Sequence, residues 1–286
     1  MPRLRIALAL GSGGLKGLAH IGVLRALAEA EIRPVAYAGA SAGALVAAAA
    51  AHDIPLADLR RLGDGLLRRP IFQVDYVNLL RHGLRTPALY RGGPLRALCD
   101  DLFGDVTFSD LAAPLVVSTV DVESSRPVRL DVSTAPTASV AEAVYASCAL
   151  PGLLPPGSVD GRLLMDGSVL DPLALGAVAW GADLVIVVSL DRSASRAASV
   201  VGRIAAPGLW WRAQAMVMRN VSRYELALWS GPPLLVVRPD LRDVHTVRVG
   251  DPARVIEAGY EAARTALERW EDRPVRTGGG AAEDIH

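Results

Sequence analysis

Gly39-Ala40-Ser41-Ala42-Gly43 stands between an apolar run and an alanine-rich stretch, and its reading decides the fold. A serine with glycine two residues to either side, at a strand-to-helix junction, describes a nucleophile elbow. So sharp a turn leaves the serine in a strained backbone conformation, and the glycines let neighbouring backbone come close. Ser41 then sits at a helix N-terminus, where free N–H groups and the helix dipole favour negative charge as a hydroxyl attacks a carbonyl. A plain small-residue turn also fits these five residues, so the rest of the chain has to weigh in.

Upstream, Leu4 to Leu10 reads as a buried strand that runs into Gly11-Ser12-Gly13-Gly14-Leu15-Lys16-Gly17 and then a helix from Leu18 to Ala30. A strand, glycine loop and helix in succession gather backbone N–H groups into a concavity suited to a phosphate or to the oxyanion of a tetrahedral intermediate. Downstream, Arg162-Leu163-Leu164-Met165 leads into Asp166-Gly167-Ser168, a carboxylate at the end of a short strand and placed to act as a base. In a parallel sheet both glycine-rich turns fall at the carboxyl edge, so the N–H donors and Ser41 converge there. An aspartate at its usual pKa of about 3.9 is a poor base for serine. Burial against Leu163, Leu164 and Met165 would raise that value.

With these segments in view, the chain resembles the bacterial patatin-like phospholipases. The glycine loop with the following Leu18-Ala19-His20-Ile21-Gly22-Val23-Leu24, the elbow, Ala146-Ser147-Cys148-Ala149-Leu150-Pro151-Gly152 with Pro155-Pro156 after it, and Asp166-Gly167-Ser168 occur in the family's order and approximate spacing. The resemblance implies an α/β fold with a Ser–Asp dyad, Ser41 as nucleophile and Asp166 as general base. It also implies an oxyanion hole from Gly11, Ser12, Gly13 and Gly14, with Lys16, Gly17, Gly39, Gly43 and Gly167 as supporting positions. The implied substrates are phospholipids, lysophospholipids or related lipid esters, and no metal or organic cofactor is implied. The chain departs from the family at Ser168, where glycine or alanine is usual, and at Asp171, where asparagine is common. A second carboxylate buried near Asp166 would raise one of the two pKa values. The reading favoured here is that Asp171 caps a helix beginning at Pro172.

Composition agrees with an enzyme domain. The chain has 286 residues, 51% hydrophobic and 21% charged, and its strands alternate with helices, which argues for one three-layer α/β/α domain with a mainly parallel central sheet. That domain is expected over residues 1–272, with 273–286 a disordered tail. A net charge of zero argues against nucleic acid and against general affinity for anionic membrane. Two cysteines, Cys99 and Cys148, form neither a disulfide framework nor a metal cluster, and Cys148 reads as a packing residue. No signal-like segment is visible, so a cytoplasmic location, peripheral to membrane at most, is expected.

Strands are expected at 4–10, 34–38, 114–121, 126–131, 183–190 and 234–238. Helices are expected at 18–30, 41–51, 55–69, 94–103, 138–148, 172–180, 208–229 and 252–270. Residues 70–93 read as irregular and could form a lid over the site. The helix around Trp210, Trp211, Met216 and Met218 suits either a transient membrane-surface contact or packing on the domain or across a homodimer. Lys16, the sole lysine, either pairs with an anion near the loop or is solvated. His20 reads as a packed or hydrogen-bonded residue. His245 is the one histidine placed after the acid for a Ser-Asp-His triad, but it falls in no motif. A dinucleotide-binding reading fails because Lys16 occupies the third glycine position and the second strand ends in the serine elbow rather than in an acid. A non-catalytic regulatory protein on the same fold remains open to this reading.

Overall fold

The computed structural model describes residues 4–68, 71–83, 86, 88–177, 181–190, 206–242, 244 and 250–271. Side-chain alternation along the first strand, β1 (Ile6–Leu10), sorts the protein into layers. Leu8 and Leu10 enter one core while Ala7 and Ala9 enter the other, as the period of two in a strand requires. After β1 a 3-10 turn over Gly14–Leu18 leads to α1 (Ala19–Glu29), then β2 (Ala36–Ala40) and α2 (Ala42–Ala51). Next come α3 (Leu56–Arg68), α4 (Tyr76–His82), α5 (Gly93–Phe103), β3 (Leu115–Asp121), β4 (Pro127–Leu130) and α6 (Val140–Cys148). The chain continues through β5 (Gly157–Val159), β6 (Arg162–Asp166), β7 (Leu184–Val188), α7 (Ala206–Ala227), β8 (Leu234–Val237) and α8 (Pro252–Glu271).

The sheet runs β5-β6-β3-β2-β1-β7-β8, with β4 also paired to β3. From β3 to β8 the neighbours are parallel, while β4 and β6 run antiparallel to β3, and β5 antiparallel to β6. This is the mainly parallel α/β sheet expected. The larger core lies between one face and α1, α2, α5, α6 and α8. The other face is smaller and alanine-rich, and it is covered by residues 173–175 and the C-terminal end of α7. Leu10 pairs with Gly39 in the β1–β2 register, so the glycine loop and the elbow leave the same edge of the sheet side by side. No helix among the described residues is long and apolar enough to cross a membrane.

Two expectations need correction. No helix begins at Pro172: Ala174 has a φ of 53°, outside the helical region, and only a short 3-10 turn follows at Leu175–Ala177. Asp171 therefore caps nothing there. The stretch 70–93 is also more ordered than expected, since α4 sits in it and Val74 bridges Tyr90. The tail from 273, His245 and the side chains of Trp210 and Trp211 lie outside the described residues.

Candidate active site

Ser41 caps α2 with φ 56° and ψ −127°, a conformation that residues other than glycine seldom adopt. Close backbone approach enforces it. A Cβ on Gly43 would lie 1.9 Å from the Leu10 carbonyl oxygen, and one on Gly39 would lie 2.5 Å from that of Gly43, so neither position has room for any side chain. The Ser41 N–H donates to Ser147 Oγ at 2.9 Å, and the Ser147 hydroxyl donates in turn to the Ser118 carbonyl at 2.6 Å. The elbow is thereby tied to α6 and to β3, the strand that pairs with β6.

Asp166 ends β6 and is completely buried. Its Oδ1 accepts from the Ser168 N–H at 2.8 Å, and its backbone N–H donates to the Ala149 carbonyl at 3.1 Å. Its Oδ2 is buried and has no hydrogen-bond partner among the described residues. Burial pushes this carboxyl up to about 6, against the downward pull of Ser168 and of the nearby Ser41 hydroxyl. The upward direction is the one expected from the sequence, although Leu163, one of the three residues expected to bury Asp166, is itself exposed. Gly167 is required because a Cβ there would meet the Ser118 carbonyl oxygen at 2.3 Å.

The glycine loop is pinned at its start. The Gly11 N–H donates to Val188 and the Ser12 N–H to Pro172, both at 2.9 Å. His20, fully buried, bonds the Gly11 carbonyl through Nε2 at 2.8 Å, and burial lowers its pKa to about 4, so near neutral pH it is the uncharged donor to that carbonyl. Gly11 and Ser12 have spent their N–H groups on the fold, whereas those of Gly13 and Gly14 are not among the bonds that pin the loop. Gly13 is extended, and Gly14 has a φ of 56°. The half-buried Lys16 contributes its backbone, its N–H donating to the Gly13 carbonyl at 3.2 Å.

Ser41 opens on a cavity with about 730 Å³ of empty space, mouth included. Gly14, Leu15, Leu18, Leu45, Leu59, Phe72, Leu95 and Leu154 are among its walls, and among the described residues every lining residue apart from Ser41 and Cys148 is apolar or glycine. Burial pushes the Cys148 thiol well above its ordinary range, with Cys99 and then Asp166 adding to the shift.

Asp171 has a different task from the one expected. Its Oδ2 accepts from Arg129 Nε at 3.0 Å and from the Ser118 hydroxyl at 3.2 Å. Glu225 on α7 accepts the Leu173 N–H at 3.0 Å, and burial together with the adjacent Asp171 pushes its carboxyl up to about 9. Ser168 reaches α7 as well, through Met218 Sδ at 3.6 Å. Ser118, Ser147, Arg129 and Glu225 were not singled out from sequence. Ser147 alone lay inside a quoted motif.

A family model described as "Patatin-like phospholipase" matches residues 8–179, which hold the glycine loop, the elbow and Asp166. The chain belongs to that family. It is 36% identical over 190 residues to an uncharacterised NTE family protein of Mycobacterium bovis, covering 66% of this chain and 50% of the relative. It is 25% identical to "Lysophospholipase nte1" of Aspergillus fumigatus over 289 residues, covering 92% of this chain and 18% of that protein. The chain thus spans half or less of the length of these curated relatives. Among solved structures, VipD from Legionella pneumophila superposes with a TM-score of 0.59 at 17% identity, over 94% of this chain and 67% of VipD. The likeness establishes a shared patatin-like fold.

Proposed function

We propose that this protein is a serine acyl-ester hydrolase acting on lipid esters of the phospholipid or lysophospholipid kind. The observation that carries the reading is the site itself: a serine in a strained elbow, beside a buried carboxylate with one unbonded oxygen, at the wall of an apolar cavity. Ser41 Oγ attacks the ester carbonyl carbon while Asp166 takes its proton, Oδ2 being the free oxygen. The tetrahedral oxyanion is held by the N–H groups of Gly13 and Gly14, at the positive end of the turn that follows. Collapse breaks the ester bond, and the proton on Asp166 leaves with the departing alcohol. Water then attacks the acyl-serine, Asp166 takes its proton, and that proton returns to Ser41 as the fatty acid departs.

The cavity supports a lipid substrate because its described lining offers an acyl chain apolar walls. The family and the "lysophospholipase" relative point to the same substrate class. The deciding experiment is labelling with a fluorophosphonate followed by peptide mapping, together with turnover of a chromogenic acyl ester. A label on Ser41 and turnover abolished in Ser41→Ala are expected. A folded protein that neither labels nor turns over would leave the site without this chemistry.

A further inference from the structure

We propose that α4 and the hairpin carrying it form a docking surface for an anionic phospholipid bilayer, setting the cavity mouth against the lipid. The purpose of such docking rests on the lipid-ester reading above; the surface itself rests on four separate observations.

The first is that α4 is turned inside out. Tyr76, Val77, Leu79 and Leu80 are 65%, 46%, 39% and 87% exposed. At helical spacing these four share an arc of about 160°. The inward residue is polar: Asn78 bonds Asp75 through both its backbone N–H, at 3.1 Å, and its Nδ2, at 2.8 Å. A helix on a domain surface ordinarily presents the reverse arrangement.

The second is that the surface is built rather than loose. Asp75 N–H donates to Leu89, Arg91 N–H to Gln73 and Tyr90 N–H to Leu153, with the Phe72 and Tyr90 rings 5.4 Å apart. The third is continuity with the site. Ile71 and Phe72, at the base of the same hairpin, line the cavity that holds Ser41.

The fourth is charge. Residues 60–91 contain seven arginines and two aspartates, in a chain whose net charge is zero. Arg91 pairs with Asp75 at 3.9 Å and Arg61 with Asp58, whereas Arg81, directly after the apolar arc, is exposed. Exposed aromatic and aliphatic side chains flanked by arginine suit the boundary between acyl chains and anionic head groups. A second copy of the chain fits less well, since a symmetric contact would set this arginine-rich segment against itself.

The test uses the full-length chain carrying Ser41→Ala, so that hydrolysis cannot alter the vesicles. Co-sedimentation is measured with vesicles of phosphatidylcholine alone and of phosphatidylcholine mixed with phosphatidylglycerol. Binding to the mixed vesicles, weakened by salt, is expected. Tyr76→Ser with Leu80→Ser should lower it about tenfold or more, and Arg81→Glu should reduce the preference for anionic lipid. With Ser41 restored, the Tyr76/Leu80 variant should hydrolyse a short soluble ester at the parent rate. Parent protein that binds neither vesicle, or a variant that binds as the parent does, overturns the proposal. So does a self-association by light scattering that the double variant abolishes while vesicle binding persists. Vesicle binding without any ester turnover would overturn the hydrolase reading and leave the docking surface standing.

Discussion

The turn at Ser41 and the loop after Asp166 are neighbours, yet they are held by different means. Around Ser41 backbone presses on backbone, with no room for a Cβ at Gly39 or Gly43 and a serine at positive φ. After Asp166 the chain is held by polar side chains from distant elements: Ser118 on β3, Arg129 on β4 and Glu225 on α7. Hard-sphere contact admits one geometry and fails abruptly, whereas a hydrogen-bonded charge network responds by degrees and with pH. Substitutions at the elbow and glycine loop should thus act all-or-none, and those in the network should tune.

The largest effect is expected at the pair itself. Ser41→Ala and Asp166→Asn should each lower ester turnover on the order of 10³-fold or more, and the double variant should fall little further if the two act as the unit proposed. Circular dichroism checks that each variant is folded. His245→Ala, by contrast, should leave turnover near the parent value. A comparable loss there would bring a third member into the machinery.

Next comes the glycine loop. A side chain on Gly13 would drive into Leu190, with a Cβ 2.5 Å from its Cδ1, and displace the N–H proposed to hold the oxyanion. Gly13→Val should reduce kcat roughly 10²-fold, the scale of one lost oxyanion donor, with KM changed far less. Parent-like kcat in a folded variant would show the loop to be purely structural and would erase the contrast drawn above.

A smaller effect, graded rather than abrupt, belongs to pH. Burial raises Asp166 to about 6, and only the ionised form can accept a proton from Ser41. The rate constant kcat/KM for a soluble ester should therefore fall about tenfold per pH unit below that value and level off above it. Stability runs the other way. Because the folded pKa exceeds the unfolded one, the contribution of Asp166 is most favourable below the ordinary carboxylate range and is lost as pH rises through about 6. A rate profile flat from pH 5 to 8 would separate Asp166 from the proton transfer.

The same division explains what could be read from the sequence. The elbow, the glycine loop and the acid at the end of β6 are local events, each marked by glycine at a strand end, and β1 and β2 shift by no more than two residues from where their apolar runs place them. Ser147 was harder to find because its partners are Ser41 and Ser118, 106 and 29 residues away, and a serine in an alanine-rich helix carries no signal of such bonds. Asp171 before proline imitates a helix start. The carboxylate is instead taken by Arg129, 42 residues away, and the positive φ of Ala174 stops the helix that proline would have begun. The helix α4 was missed because its apolar residues face outward and because it is only seven residues long.

The smallest expected effect tests the network directly. Burial and the adjacent Asp171 keep Glu225 protonated at neutral pH, so its carboxylic acid can donate toward Asp171 while its Oε2 accepts from the Leu173 N–H. With a folded pKa near 9, above the ordinary value, the stability this group supplies is complete below the usual carboxylate range and is lost as pH rises through about 9. Between pH 8 and 10 the Tm of the parent should fall, the part due to Glu225 being a few degrees. Glu225→Gln supplies an amide donor toward Asp171 and keeps an oxygen for Leu173, but it does not titrate. It should preserve neutral-pH turnover and flatten the alkaline loss of Tm. Glu225→Ala should lower Tm at every pH and reduce kcat modestly, because α7 then no longer holds the loop behind Asp166. If Gln and Ala behave alike, the carboxyl group only fills space, and the base loop is fixed by packing just as the elbow is.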